Sequence, residues 1–365
     1  MNKYPSPSAR WLIIGLVAVV AVGSALAVLN AARATAASVQ THSVGLIIDP
    51  SGLDNYFNRL AATGLERAED KLDVSGTVYT PTTNEDIITR TQECVDDGNE
   101  LCIGVGFVTS FAISQTAQAN PGVKFALLDS MYEDYTDNLQ GIRFAVEEPS
   151  YMAGTLAGLM TASDNLGVVG GLKIPPVDDF IDGFQWGAQC INPSVTTTIS
   201  YTNDFNDPDL GAIVAQEMIS GGADLIFPVA GSTGVGAILT ATQSGAWTIG
   251  VDTDQWETVF MSGTITGSEK LLTSVIKRMD SAVFMLISDT ISGTFISGTV
   301  NYDLASGMVD LAPYHEAEVS VPPNVTRIVE RIRRGILNGI IDVNGPCPTH
   351  IYMPVSPKDA LPGAE

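Results

Sequence analysis

The chain has 365 residues, 45% of them hydrophobic and 16% charged, with 41 Asp and Glu against 18 Lys and Arg and a formal net charge of -23. That much apolar side chain argues against disorder, and the acidic excess argues against nucleic acid or polyphosphate partners, which need a basic surface to replace counterions. The length is that of about two domains; four cysteines and three histidines with no C-x-x-C pair give no metal framework, so neither a metal nor a cofactor is expected.

Residues 1–36 hold Lys3, Arg10 and Arg33 and no acid, and Trp11–Leu29 is uncharged and apolar up to an A-x-A pattern at Ala34-Thr35-Ala36. The reading is export. The segment is either a signal peptide cleaved there or, being close to the ~20 apolar residues that span a bilayer, an uncleaved anchor that keeps the protein on the membrane. In both cases the folded part is extracytoplasmic, periplasmic or at the cell surface. An exported setting permits disulfides. Cys94 and Cys102 flank an acidic turn and Cys190 and Cys347 lie far apart; two pairings or four buried thiols both fit, since connectivity is not written in the sequence.

From residue 43 short β-branched runs alternate with helical spacing. Val44–Ile48 is apolar throughout, as a parallel strand covered on both faces requires, and residues 54–71 follow with Tyr56, Leu60, Leu65 and Ala68 on one helical face. Strands are predicted at Thr77–Thr80, Leu101–Val105, Lys124–Leu128 and Gly141–Val146, with helices over Asn84–Asp97 and Ser110–Ala119 between them. The pattern then starts over. Helices Ser150–Thr161, Val177–Cys190, Asp209–Ser220 and Gly234–Ser244 alternate with strands Leu166–Val169, Thr196–Tyr201, Asp224–Pro228 and Trp247–Val251. The remainder reads as a strand at Gly263–Gly267, a helix across Leu271–Asp289, a strand at Gly298–Tyr302 and an amphipathic helix over Asn324–Asn338. Such alternation makes two successive doubly wound α/β lobes the economical fold.

Open α/β sheets bind ligands beyond the carboxyl ends of their strands. At those positions stand Asp49, Asn55, Phe57 and Asn58; Gly104, Gly106 and Phe107; Asp129; Gly170 and Gly171 with Phe180 downstream; Gly231 in a Gly-Ser-Thr-Gly run; and Asp252, Asp254 and Gln255. Carboxylates, amides and aromatic faces suit an uncharged, hydroxyl-rich ligand with a flat ring. Each has a plainer reading. Asp54 and Asp178 fit helix N-caps as well as ligand contacts, and Phe184 and Trp186 read as core. Gly231–Gly236 lacks the lysine of a P-loop, and Gly104-x-Gly106 lacks the third glycine of a dinucleotide fingerprint. His42, His315 and His350 lie away from the strand ends, so no nucleophile and base pair emerges and no enzyme is expected.

One run carries a specific likeness. Glu147-Glu148-Pro149-Ser150-Tyr151-Met152-Ala153-Gly154-Thr155-Leu156-Ala157-Gly158 resembles the E-E-x-S-Y-x-A-G-x-x-A-G signature of the basic membrane protein family, the nucleoside-binding components of bacterial ABC importers. Asp54–Asn58, Gly104–Phe107, Lys124–Asp129, Gly183–Ala188, Ile249–Gln255 and Thr273–Lys277 are similar to further blocks of that family, in the same order. The resemblance implies a type I periplasmic-binding-protein fold: two Rossmann-like lobes, a three-segment hinge and a ligand cleft between them. With crossovers near Asn138–Gly141, Gly267–Lys270 and Gly293–Gly298, lobe 1 would comprise 43–140 plus about 268–293. Lobe 2 would comprise 141–267 plus about 298–345, leaving 346–365 as a tail. The resemblance also implies a purine nucleoside as ligand, with Phe57 and Phe180 stacking on the base and Asp49, Asp129, Gly231, Asp252 or Asp254, and Lys277 on the ribose or on one another. Lys277 is either such a charge partner or a solvated helix lysine. A monomer delivering its ligand to a permease and ATPase follows. A sensor of the same fold, or a binder of riboflavin or a sugar, are the alternatives. The chain departs from the family in its first loop, Pro50-Ser51-Gly52-Leu53 in place of a glycine-rich one, in Tyr56 where serine is common, and in having no cysteine to take a lipid.

Overall fold

The computed structural model describes residues 41–130, 132 and 136–348; the leader, His350 and most of the C-terminal tail lie outside the described residues. Strands β1 (His42–Ile47), β2 (Val74–Tyr79), β3 (Leu101–Val105), β4 (Lys124–Leu128), β5 (Leu139–Phe144) and β11 (Gly298–Tyr302) form one sheet in the order β2-β1-β3-β4-β5-β11. A second sheet of β6 (Asn165–Gly170), β7 (Thr196–Tyr201), β8 (Leu225–Val229), β9 (Trp247–Asp252), β10 (Leu271–Lys277) and β12 (Val309–Leu311) has the matching order β7-β6-β8-β9-β10-β12. All pairings are parallel except β12 with β10. Helices on both faces explain why β3 and β8 are buried at every residue and read as apolar runs.

In the first lobe α1 (Tyr56–Lys71), α2 (Asp86–Asp96) and α3 (Ser110–Ala119) connect the first four strands, and α9 (Met279–Ile291) packs on α1. In the second, α4 (Glu147–Met160) lies against α5 (Pro175–Ile191), while α6 (Pro208–Ser220), α7 (Gly231–Gln243), the short α8 (Gln255–Thr258) and α10 (Pro323–Leu337) complete the cover. The α4/α5 contact accounts for the glycines of the signature run. A Cβ at Gly154 would stand 1.9 Å from the Phe184 carbonyl oxygen and one at Gly187 2.0 Å from that of Tyr151, so only glycine lets these backbones meet. Phe184 is core, as expected, stacked on Phe227 at 4.5 Å; Trp186 is not, being 41% exposed on the opposite face of α5.

Several expectations need correction. Leu271–Asp289 is not one helix: β10 ends at Lys277 and α9 begins at Met279, with only Arg278 between. A strand covered on both faces is as apolar as a buried helix, and no glycine or proline marks the junction. Gly263–Gly267 alternates like a strand but is a turn, with φ positive from Met261 to Gly263 and again at Gly267. These shifts move the lobe boundaries. β5 pairs with β4 and β10 with β9, so the crossovers lie at Ala145–Val146, at Arg278 and at 303–308, not at the glycine-rich sites.

The crossovers are tied together. Ala145 N–H donates to Tyr302 O at 2.7 Å and Arg278 N–H to Met308 O at 2.8 Å, while the Glu148 carboxylate accepts from Leu304 N at 2.8 Å. Beside them Arg143 of β5 donates to Glu147 of α4 (2.8 Å), Asp179 of α5 (3.0 Å) and Asn301 of β11 (3.1 Å), bridging the lobes. Two disulfides are formed, Cys94–Cys102 joining α2 to β3 and Cys190–Cys347 tying the chain after α10 to the end of α5.

Candidate functional site

Both sheets turn their carboxyl ends to a common cleft, about 640 Å³ including the open solvent at its mouth and lined from both lobes. The neighbours β1/β3 and β6/β8, where each sheet's winding reverses, both deliver loops to it, as the topological switch-point rule requires. Of the ten residues singled out in the sequence, Asp49, Asn55, Phe57, Asp129, Phe180, Gly231, Asp252 and Lys277 line this cleft. Asn58 and Asp254 do not.

The first loop is organised around Asp49. Its Oδ1 accepts from Ser51 N (2.8 Å), from the Ser51 hydroxyl and from Asn58 Nδ2 (2.9 Å). Asn58 is therefore a support behind the site, fully buried, that also donates to the Gly52 carbonyl at 3.0 Å. Asn55 caps α1: its Oδ1 accepts from Phe57 N at 2.9 Å, which leaves its amide NH2 near Gly231 of the other lobe. The Phe57 ring lies on Gly106, where a Cβ would come within 3.0 Å of it and where φ is +79°, so both the close approach and the backbone angle call for glycine.

The second lobe supplies Phe180 from α5, 2% exposed, and the charged centre. Lys277, at the end of β10 and 2% exposed, donates from Nζ to Asp129 Oδ2 across the cleft at 2.6 Å and lies 3.5 Å from Asp252 Oδ1. Its ammonium is 4.6 Å from the centre of the Phe180 ring and 5.7 Å from that of Phe57. This is a buried charge partner and not a solvated lysine. Burial works to lower the Lys277 pKa, but Asp129 and Asp252 more than offset it and the net shift is upward. For Asp252, burial is the largest influence and pushes the carboxyl up; Asp129 adds to the rise and Lys277 opposes it. Asp129 and Asp252 end corresponding strands of the two sheets, and both have left-handed backbones, φ 58° and 66°. That conformation is uncommon outside glycine, asparagine and aspartate, and where it costs energy the surrounding structure must hold it. Asp252 Oδ1 is buried without a hydrogen-bond partner.

Asp254 faces elsewhere. It caps α8, accepting from Trp256 N at 3.2 Å, and its other oxygen meets His315 Nε2 at 2.6 Å, with His315 stacked on Trp256 at 4.1 Å. Two residues beyond Asp252, it has passed the strand end and belongs to the helix. Asp54 caps nothing; Asn55 does. Asp178 accepts from the Tyr201 hydroxyl at 2.5 Å, and the Tyr201 phenol is pushed well above its ordinary range, first by burial and then by that carboxylate.

The cleft also has walls beyond the ten residues. Phe107, one of the strand-end residues after β3, is 37% exposed and lines the mouth. Phe205, from the polar loop after β7, had none beyond being the lone aromatic there, and it packs on Gly171, where a Cβ would lie 2.1 Å from its ring. Val177, on the first turn of α5, adds apolar surface.

The family model for Bmp, described as ABC transporter substrate-binding protein PnrA-like, matches residues 41–345. A protein of Listeria innocua named CD4+ T-cell-stimulating antigen is 32% identical over 84% of this chain and 89% of its own. The ABC transporter nucleoside-binding protein BmpA of Lactococcus lactis is 31% identical over 77% and 84%. Among solved structures, an ABC transporter solute-binding protein of Aeropyrum pernix superposes with a TM-score of 0.71 at 25% identity, covering 82% of this chain and 92% of that one. The fold is that of the periplasmic binding proteins. No helix among the described residues is long and apolar enough to cross a membrane.

Proposed function

Because this chain belongs to the Bmp family of PnrA-like ABC transporter substrate-binding proteins, we propose that its cleft binds a nucleoside, a purine nucleoside in the first instance, outside the cytoplasm. The monomer then delivers it to a membrane permease and its ATPase. The observation that carries this reading is the placing of two phenylalanine rings, Phe57 and Phe180, beside a cluster of two carboxylates and one ammonium. The rings offer faces to a base. Asp252 Oδ1 is buried, makes no hydrogen bond and has only the Lys277 ammonium 3.5 Å away, which leaves it able to accept from a hydroxyl of the kind a ribose carries.

The charge balance favours an uncharged ligand. Asp49, Asp129 and Asp252 face the cleft with Lys277 as the cation against them, so a phosphate would meet net negative charge. The name of the Lactococcus lactis relative supports the same ligand class. A melting-temperature screen tests it, since a ligand that binds only the folded state raises the transition. Inosine, guanosine or adenosine should raise it and their 5′-monophosphates should not. A rise with riboflavin or a sugar and none with any nucleoside overturns the reading.

A further inference from the structure

Tyr56 is the first helical residue of α1 and stands between two cleft residues, Asn55 and Phe57, yet its side chain points away from the cleft into the other lobe. The ring packs with Ile238 of α7, Val259, Phe260 and Leu271, all buried and all in the second lobe. Its hydroxyl donates to the Thr258 carbonyl at 3.0 Å. Thr258 is the last residue of α8, and the final carbonyls of a helix have no partner within it, so the tyrosine supplies a donor that α8 cannot.

We propose that Tyr56 is a clasp between the lobes, a positioning residue that favours the closed cleft before any ligand is bound. It lines neither the cleft nor the Asp129–Lys277 contact, so a ligand entering the cleft does not have to displace its hydrogen bond or its half-buried ring. The two ends of the clasp are short rigid extensions of the site. Asn55, immediately before Tyr56, caps α1, and α8 begins three residues after Asp252. Closing the clasp therefore brings Asn55 and Phe57 up to Gly231 and Asp252 as one movement. A protein whose binding-competent form is already well populated loses less of its intrinsic affinity to closure, and a closed-state contact absent from the open form slows ligand escape.

The proposal rests on the cleft being the ligand site and not on which ligand it holds. The test uses the folded, disulfide-intact protein with Tyr56→Phe and Tyr56→Ala. Small-angle X-ray scattering without ligand should show Tyr56→Ala more expanded than the parent. Stopped-flow with inosine should show dissociation faster by about fivefold for Tyr56→Phe, which loses one hydrogen bond, and by roughly thirtyfold for Tyr56→Ala, which also loses the half-buried ring. Association should be unchanged or faster. Tyr56→Phe keeps the packing and guards against a folding defect as the cause. Ligand-free scattering of Tyr56→Ala that superimposes on the parent overturns the clasp, as does a loss of affinity confined to slower association. Failure of inosine to bind the parent protein counts against the nucleoside reading instead, and the scattering comparison still decides the clasp.

Discussion

Two acid–cation–acid groups join the lobes, one in the cleft and one at the hinge, and they are built differently. In the cleft Lys277 holds Asp129 at 2.6 Å and Asp252 only at 3.5 Å. At the hinge Arg143 spreads its guanidinium over Glu147, Asp179 and Asn301, all within 3.1 Å. A guanidinium is a rigid planar fork; an ammonium is a compact point charge on a flexible stem. At the hinge the fork holds three partners from both lobes at once. In the cleft the point charge has unequal neighbours, and its longer contact, to Asp252, is the weaker of the two. Each group also leaves a buried oxygen without a hydrogen bond, Glu147 Oε2 and Asp252 Oδ1, but only the second belongs to a residue that lines the cleft.

The sharpest way to break the comparison is Lys277→Met. It leaves Asp129 and Asp252 buried without a cation, and denaturant unfolding should show a loss of about 3–5 kcal/mol; unchanged stability would mean that the cleft charges are solvated and the contrast false. Arg143→Lys keeps the charge and removes the fork. About 1–3 kcal/mol of stability should go, and full retention would show that any cation serves at the hinge. Asp252→Asn should weaken inosine binding by about 1.5–3 kcal/mol in calorimetry, the worth of a hydrogen bond to a charged group, without destabilising the fold. Phe57→Ala should lower the same affinity by roughly 1–3 kcal/mol if its ring stacks on a base. The smallest effect is the pH dependence of Asp252. Its folded pKa is raised, so its contribution to stability is full below the ordinary aspartate range and is lost as pH rises through the folded value. The stability of Asp252→Asn relative to the parent should therefore grow with pH across the weakly acidic range and then level off.

Much of the site was legible because strand ends are legible. Asp49, Asp129 and Asp252 each follow an apolar run that a covered parallel strand requires, and the rule for open sheets then points to them. Family likeness points to Lys277, but its element is not legible in the sequence, since β10 and a buried helix have the same apolar content. Asn58 and Asp254 stay out of the cleft for different reasons: Asn58 lies on the first turn of α1, buried behind the loop of Asp49 to which it donates, and Asp254, two residues past the end of β9, caps α8 and meets His315. Glycines do not mark the hinge, which lies at Ala145–Val146, Arg278 and 303–308, because strand pairing and not local flexibility decides where a chain changes sheets.

By itself the sequence determined the alternation of strands and helices, the two successive lobes and the family, because these rest on local periodicity and on short contiguous runs. Only the tertiary structure decided which strands share a sheet, which of several nearby carboxylates face the cleft, that Lys277 bridges Asp129 to Asp252, and that Tyr56 reaches from one lobe into the other. The physical reason is range. Asp129 and Lys277 are 148 positions apart and Tyr56 and Thr258 202, and no local preference carries information over that distance; only the packing of the two sheets brings those atoms together.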